Sequence, residues 1–249
     1  MTGPAAAPEA KRFFKEAAVV QSRNGWVVTL DGKPVQTPAK NLLAVPTQAL
    51  ARRIAAEWNA QGPKIDLGAM PAFRLANSAI DQVLKEKARC AADIIRVGRD
   101  DLLSHRTAQP RDLAEMEAKT WDPYLRFAEK TFGLRVQTGE GRYHIEQDFD
   151  SFYRLEDLLL ACGPFLLAGV HAIATLTGSA LIALAVAEAF RSPAEAWGAA
   201  IVDEVHPSNA AGLTPEAAAA RKNKEKHFHA AAAFLRALQR KPSEVKKTG

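Results

Sequence analysis

Two hydrophobic rhythms divide this 249-residue chain. Between residues 12 and 46 the apolar positions come in short runs rich in valine, broken by turn residues. Phe13–Gln21 leads into Asn24-Gly25, a dipeptide suited to a tight hairpin because a type I′ turn needs positive φ at both central positions. Trp26–Leu30 follows, then Asp31-Gly32 as a second turn, then two short extended runs, Pro34–Thr37 and Leu42–Val45, bounded by prolines. This pattern predicts an antiparallel meander, which needs cover on one face to be stable.

From Pro46-Thr47 onward the spacing becomes helical. Thr47 suits an N-cap, and Leu50, Ile54, Ala55 and Trp58 recur on one face, so the first helix covers the strands and buries Trp58. The stretch Glu57–Asp81 (EWNAQGPKIDLGAMPAFRLANSAID) then joins the two regimes. Gly62-Pro63 is expected to end the first helix, and Met70-Pro71 to start the next, whose stripe reads Leu75, Ile80, Val83 and Leu84. Further helices are predicted around Ala91, Ile94 and Ile95, over Pro110–Phe132 with a bend or break at Pro123, and over 149–162, 164–176, 179–190, 193–205 and 215–240. Leu134–Ile145, holding Gly139 and Gly141, is expected to be a loop or small hairpin. The predicted fold class is α+β: a small N-terminal antiparallel β domain followed by a larger all-α domain. The expected organisation is a disordered segment 1–11, a β-rich domain 12–70 with one covering helix, an all-helical domain 71–240, and a basic flexible tail 241–249.

Charge sharpens this picture at one end only. The formal net charge is +5, yet Arg221–Gly249 holds nine Lys or Arg against Glu225 and Glu244. That segment alone carries +7, which leaves −2 on the remainder. The only aromatics in it, Phe228 and Phe234, are spaced for a helix core rather than for stacking on bases, so a nucleic-acid partner is not expected. Leu158–Ala187 has a single ionisable side chain, His171, and is long enough to cross a bilayer. Gly163-Pro164 and Thr177-Gly178-Ser179 cut it into pieces too short to span, so consecutive buried helices and no stable membrane insertion are expected. Cys90 and Cys162 form no CxxC pair and read as two buried thiols of a reducing, cytoplasmic environment.

Catalytic patterns do not emerge. There is no GxxxxGK[ST], no GxGxxG after a strand, and no GxSxG. His227 and His229 are two apart on a helix and point to different faces, which argues against a shared metal ion. Asp100-Asp101, Glu156-Asp157 and Asp203-Glu204 read as solvated carboxylates on polar helix faces. Asp203-Glu204 stands out because it closes the apolar helical block before Pro207, and it is the expected partner-binding pair through which a basic residue of another protein docks. No catalytic residue, cofactor or metal site is expected. An enzyme using carboxylates within 193–206 is the alternative, and a nucleic-acid adaptor using 221–249 a third.

An ordered set of strings resembles a known family: KRFFKEA, GWVVTLDGKPVQTP, LAVPTQALARRIAAEWNAQ, IDLGAMPAFRLANSAID, DDLLSHR, Trp121-Asp122-Pro123, LTGSALIALAVAE and Asp203-Glu204, spread over 11–205. The chain is similar to the assembly chaperones that bind the free α subunit of the F-type ATP synthase catalytic head, found in mitochondria and α-proteobacteria. The resemblance implies a β domain followed by a helical domain, no catalysis, and a protein that covers α until the β subunit displaces it; a monomer is expected. Glu204 aligns with an acidic residue tied to function in that family. After Glu204 the family continues with an aromatic-Gln pair and a Trp-Gly-Asp-like segment, where this chain reads VHPSNAAGLTPEA.

Overall fold

The computed structural model describes residues 11–23, 25–141, 145–207 and 214–239. Residues 1–10 of the segment 1–11 expected to be disordered, the basic tail 241–249 and Asn24 of the first turn lie outside them, whereas Lys11 is described and bridges Lys64. The chain forms two compact units: residues up to Asp81 together with those from Ala237 on, and Gln82–Arg236. The boundary expected at 70/71 falls inside the first unit.

In the first unit, β1 (Ala17–Ser22) and β2 (Gly25–Leu30) pair antiparallel, with Ala17 opposite Leu30 and Ser22 opposite Gly25. Gly25 has a φ of +123°, and a Cβ there would lie 2.5 Å from the Val45 carbonyl oxygen, so only glycine fits. β2 turns through Asp31 (φ 47°) and Gly32 (φ 79°) into β3 (Lys33–Pro34), the two-residue hairpin expected at that dipeptide. The Asp31 carboxylate accepts from the backbone N–H groups of Lys15 and Glu16 at 2.9–3.0 Å, and these bonds hold its pKa below the usual range. β4 (Ala44–Val45) also pairs with β2, and Gln36 bridges Leu42.

The helix α1 (Gln48–Asn59) lies across β1 and β2. Thr47 caps it, its hydroxyl accepting from Leu50 N–H, and Leu50, Ile54, Ala55 and Trp58 are all buried. The helix ends at Asn59, ahead of Gly62-Pro63, and the Asn59 amide pairs with both the N–H and C=O of Ala17 on the edge of β1. Glu57, on the last turn, accepts from the N–H groups of Ala72 and Phe73 at 2.8 and 2.9 Å. It thus supplies the cap for α2 (Pro71–Ser78), which has none of its own. Burial raises the Glu57 pKa against those two donors. A π-helical turn, Ala79–Val83, follows α2. Its extra residue shifts the helical phase, so Val83 is buried but Leu84 is 63% exposed, in contrast to the continuous stripe expected.

The second unit is built on α3 (Lys87–Arg99), α4 (Arg111–Phe132), α5 (Phe149–Ala161), α6 (Pro164–Thr177), α7 (Ala180–Ala187), α8 (Pro193–Ala200), the single turn α9 (Val202–Val205) and α10 (Pro215–Leu238). Pro123 sits within α4 without dividing it. Gly178 (φ 68°) ends α6 and Ser179 caps α7, its hydroxyl accepting from Ile182 N–H. Ala180–Val186 is buried on every side, and α7 packs against α3, α4, α6 and α8. The long apolar run is therefore a central core helix and its neighbour; no helix of the described residues is long and apolar enough to cross a membrane. The unit is not purely helical. β5 (His105–Arg106) pairs in parallel with β6 (Gly139–Glu140), so Gly139–Gly141 joins a distant strand instead of a local hairpin. The predicted single helix over 193–205 is broken at Ile201 (φ −124°) into α8 and α9.

Candidate functional site

The C-terminal end of α3, β5, the middle of α4, the α6–α7 turn and α9 surround one recess of about 630 Å³ in the second unit. Its walls bring together residues of DDLLSHR, Trp121, Thr177-Gly178 and Asp203, which lie as far apart in the sequence as Asp100 and Asp203.

Between the lining residues Asp100 and Leu102 lies Asp101, which is fully buried and is not itself part of the lining. Its carboxylate accepts from Leu103 N–H at 3.0 Å, capping the 3-10 turn Leu102–Ser104, and from Leu181 N–H at 3.2 Å, at the start of α7. Burial raises its pKa to about 6, opposed by hydrogen bonds from Ser179, Leu103, Leu181 and Ala180. Leu102 N–H also donates to the Gly178 carbonyl at 2.9 Å, so the turn after α3 and the turn before α7 are locked together. Reading Asp101 as a solvated carboxylate is corrected here. Leu103 is a local partner, but Leu181 sits 80 residues away, beyond any local pattern.

The lining carries the carboxylates Asp100, Glu117 and Asp203 together with Arg106 and His105. His105 Nε2 lies 2.7 Å from Asp100 Oδ1, and its Nδ1 lies 3.2 Å from the Gly141 carbonyl. Arg106 donates to the Leu103 carbonyl through Nε and to Asp122 at 2.9 Å, with its guanidinium 5.3 Å above the Trp121 ring. Trp121 is itself fixed by its N–H donating to the Ala199 carbonyl at 2.7 Å. Glu117, a second fully buried acid, accepts from Thr107 N–H at 2.8 Å. Arg106, Glu117 and Trp121 were given no role by sequence reasoning. Arg106 and Asp122 are sixteen residues apart on different elements, and helical spacing cannot disclose such a pair.

The expected partner-binding pair splits in two. Asp203 is half-buried and lines the recess, its carboxylate accepting from Glu204 N–H at 2.9 Å. Glu204 is exposed on the outer side of α9 and is not a lining residue. Of the other acids in 193–206, Glu195 is taken up by a capping box: it accepts from Ser192 N–H at 2.9 Å and donates its own N–H to the Ser192 hydroxyl. The hydrogen bonds with Ser192 hold its pKa down. The carboxylates of that segment therefore do not converge on one point.

Burial raises both thiols, Cys90 to about 11, so neither is a ready nucleophile. Among the described residues no group of three or more His, Cys, Asp or Glu side chains is placed to hold a metal ion. The recess is a mixed polar and apolar surface feature with fixed donors and acceptors, its lining holding more carboxylates than cations, which suits recognition of another surface.

A sequence model of the ATP12 chaperone protein family matches residues 11–129. The crystal structure of Atp12 from Paracoccus denitrificans is similar to this chain with a TM-score of 0.86 and 32% identity, over 92% of this chain and 99% of that one. A variant of that Paracoccus protein, with an aspartate replaced by lysine, matches equally well (TM-score 0.86, 31% identity, 92% and 98% covered). A candidate chaperone from Agrobacterium tumefaciens matches with a TM-score of 0.86 and 34% identity, over 94% of this chain and 88% of that one.

Proposed function

This chain belongs to the ATP12 chaperone family, and we propose that it is an assembly factor for F-type ATP synthase, acting in the bacterial cytoplasm as a monomer without a cofactor. It binds the free α subunit, keeps it from aggregating, and is displaced when the β subunit arrives. It catalyses no reaction. The observation that carries this reading is the likeness to Paracoccus Atp12 over nearly the whole of both chains. The acid-rich recess bordered by Asp203, with Glu204 exposed beside it, is in keeping with a docking surface.

Isolated α subunit, incubated with the purified chain, is expected to co-elute with it in a stoichiometric complex and to stay soluble on warming. An α subunit that neither co-elutes nor is protected overturns the reading. Glu204→Lys is expected to weaken the complex while changing the unfolding free energy by no more than about 0.5 kcal/mol, because the side chain is exposed. Undiminished binding by that variant rejects Glu204 as a contact.

A further inference from the structure

The first unit carries a groove that the reading above does not use. It has a volume of about 490 Å³, within the range of about 300–1,000 Å³ typical of ligand sites. One wall is a ladder of aromatic rings in edge-to-face contact: Phe13 to Phe14 at 5.6 Å, Phe14 to Trp58 at 5.5 Å and Trp58 to Phe73 at 5.0 Å. The run from Lys33 to Pro38, which includes β3 and the Gln36 bridge, also lines it. Three strings that are separate in the sequence, at residues 11–17, 25–38 and 57–81, meet in this one feature.

Four observations define what it takes. At its lips Phe13 is 71% exposed and Leu67 51% exposed, large apolar groups offered to a partner rather than to the core. Trp58 is buried, yet its indole N–H has no acceptor, a donor left over in a wall that is otherwise apolar. Lys33 and Lys40 are exposed on the rim, and neither has an ion-pair partner among the described residues. The one rim acid, Asp31, is already engaged by the N–H groups of Lys15 and Glu16. Asp31 keeps its negative charge, so the lining sets two cations against one anion and is net positive by one charge.

We propose that this groove docks an extended segment of the client protein that carries apolar side chains followed by a carboxylate. The apolar side chains lie against the aromatic ladder between Phe13 and Leu67, and the carboxylate meets Lys33 and Lys40. A wall made of six successive residues, Lys33–Pro38, favours a linear occupant over a compact one. The proposal rests on the assembly reading, since its client is the α subunit.

The test measures the affinity of full-length chain for isolated α subunit by titration at several salt concentrations. The variants are Phe13→Ser, the charge reversal Lys33→Glu/Lys40→Glu, and the charge-conserving Lys33→Arg/Lys40→Arg. Because the three side chains are exposed, all variants are expected to keep the melting temperature of the parent. Phe13→Ser and the double reversal are each expected to lower affinity at least about ten-fold. The reversal should also remove most of the salt dependence that the parent and the arginine variant retain. Parent binding with unchanged affinity in both damaging variants overturns the groove and leaves the assembly reading standing. A parent that does not bind α overturns both. A dimer of the parent that Phe13→Ser disperses places a second copy in the groove and overturns the assignment to a client.

Discussion

Replacing Asp101 by asparagine tests the most heavily buried charge of the fold. In the native state its carboxyl has a pKa of about 6, raised chiefly by burial, against an ordinary value of 3.8. The folded chain therefore holds this proton to higher pH than the unfolded chain does. Between about pH 4 and pH 6, unfolding releases the proton, so the contribution of Asp101 to stability falls as pH rises through that window. Below it both states are protonated; above it both are ionised and the contribution is flat. Two pH units at about 1.4 kcal/mol each give a fall of about 3 kcal/mol. Asparagine has nearly the same shape and can still accept one of the Leu103 and Leu181 N–H bonds, but it does not titrate in this range. Other carboxylates titrate too, so the quantity to follow is the unfolding free energy of the parent minus that of Asp101→Asn. Urea unfolding monitored by tryptophan fluorescence suits this measurement, because Trp121 and Trp197 both lie in the second unit. The difference is expected to decline by about 3 kcal/mol from pH 4 to pH 7 and then to level off. A difference that is constant, or that grows with pH, refutes the reasoning. Growth would mean that the four donors at the two turns outweigh burial.

Two further substitutions probe packing. Trp58→Ala removes a buried ring held between Phe14 and Phe73 and is expected to cost about 3–5 kcal/mol. Its N–H has no partner, so no hydrogen bond is lost with it, and an unaltered melting temperature would refute its place in the core. Gly169→Ala would put a Cβ 2.8 Å from Leu235 Cγ, where α6 meets α10, and is expected to destabilise the second unit by about 1–3 kcal/mol through overpacking. A neutral effect in denaturant unfolding would show that Leu235 can turn aside.

The features legible in the sequence are those written in local chemistry. Thr47 and Ser179 are caps because a hydroxyl three residues ahead of a free N–H satisfies it, and Asp31-Gly32 is a hairpin because both positions take positive φ. The α+β architecture and the positions of the long helices follow from apolar spacing alone. What escaped depends on contacts across long sequence separations. Asp101 and Glu117 look like ordinary surface acids, yet one is buried by donors from α7 and the other holds the N–H of Thr107. The phase slip at Ala79–Val83 and the parallel pairing of His105–Arg106 with Gly139–Glu140 arise from tertiary packing that no spacing encodes. For the candidate site, Asp203-Glu204 was singled out for its position, but the recess that gives Asp203 a setting could not be foreseen.

The hydroxyl of Thr47 also donates to the carbonyl of Ala237, a residue that belongs to the same unit but is made 190 positions later. On the ribosome, where the amino-terminal part of a chain ordinarily folds first, this unit emerges with one of its own pieces still untranslated. Its strands and α1 can form early, but the bond at Thr47 closes only after the entire helical unit has been synthesised. A truncated transcript, or a stall anywhere in the second unit, therefore leaves the sheet module without its last strap. Completion of the smaller unit thus reports that translation has reached the end of α10.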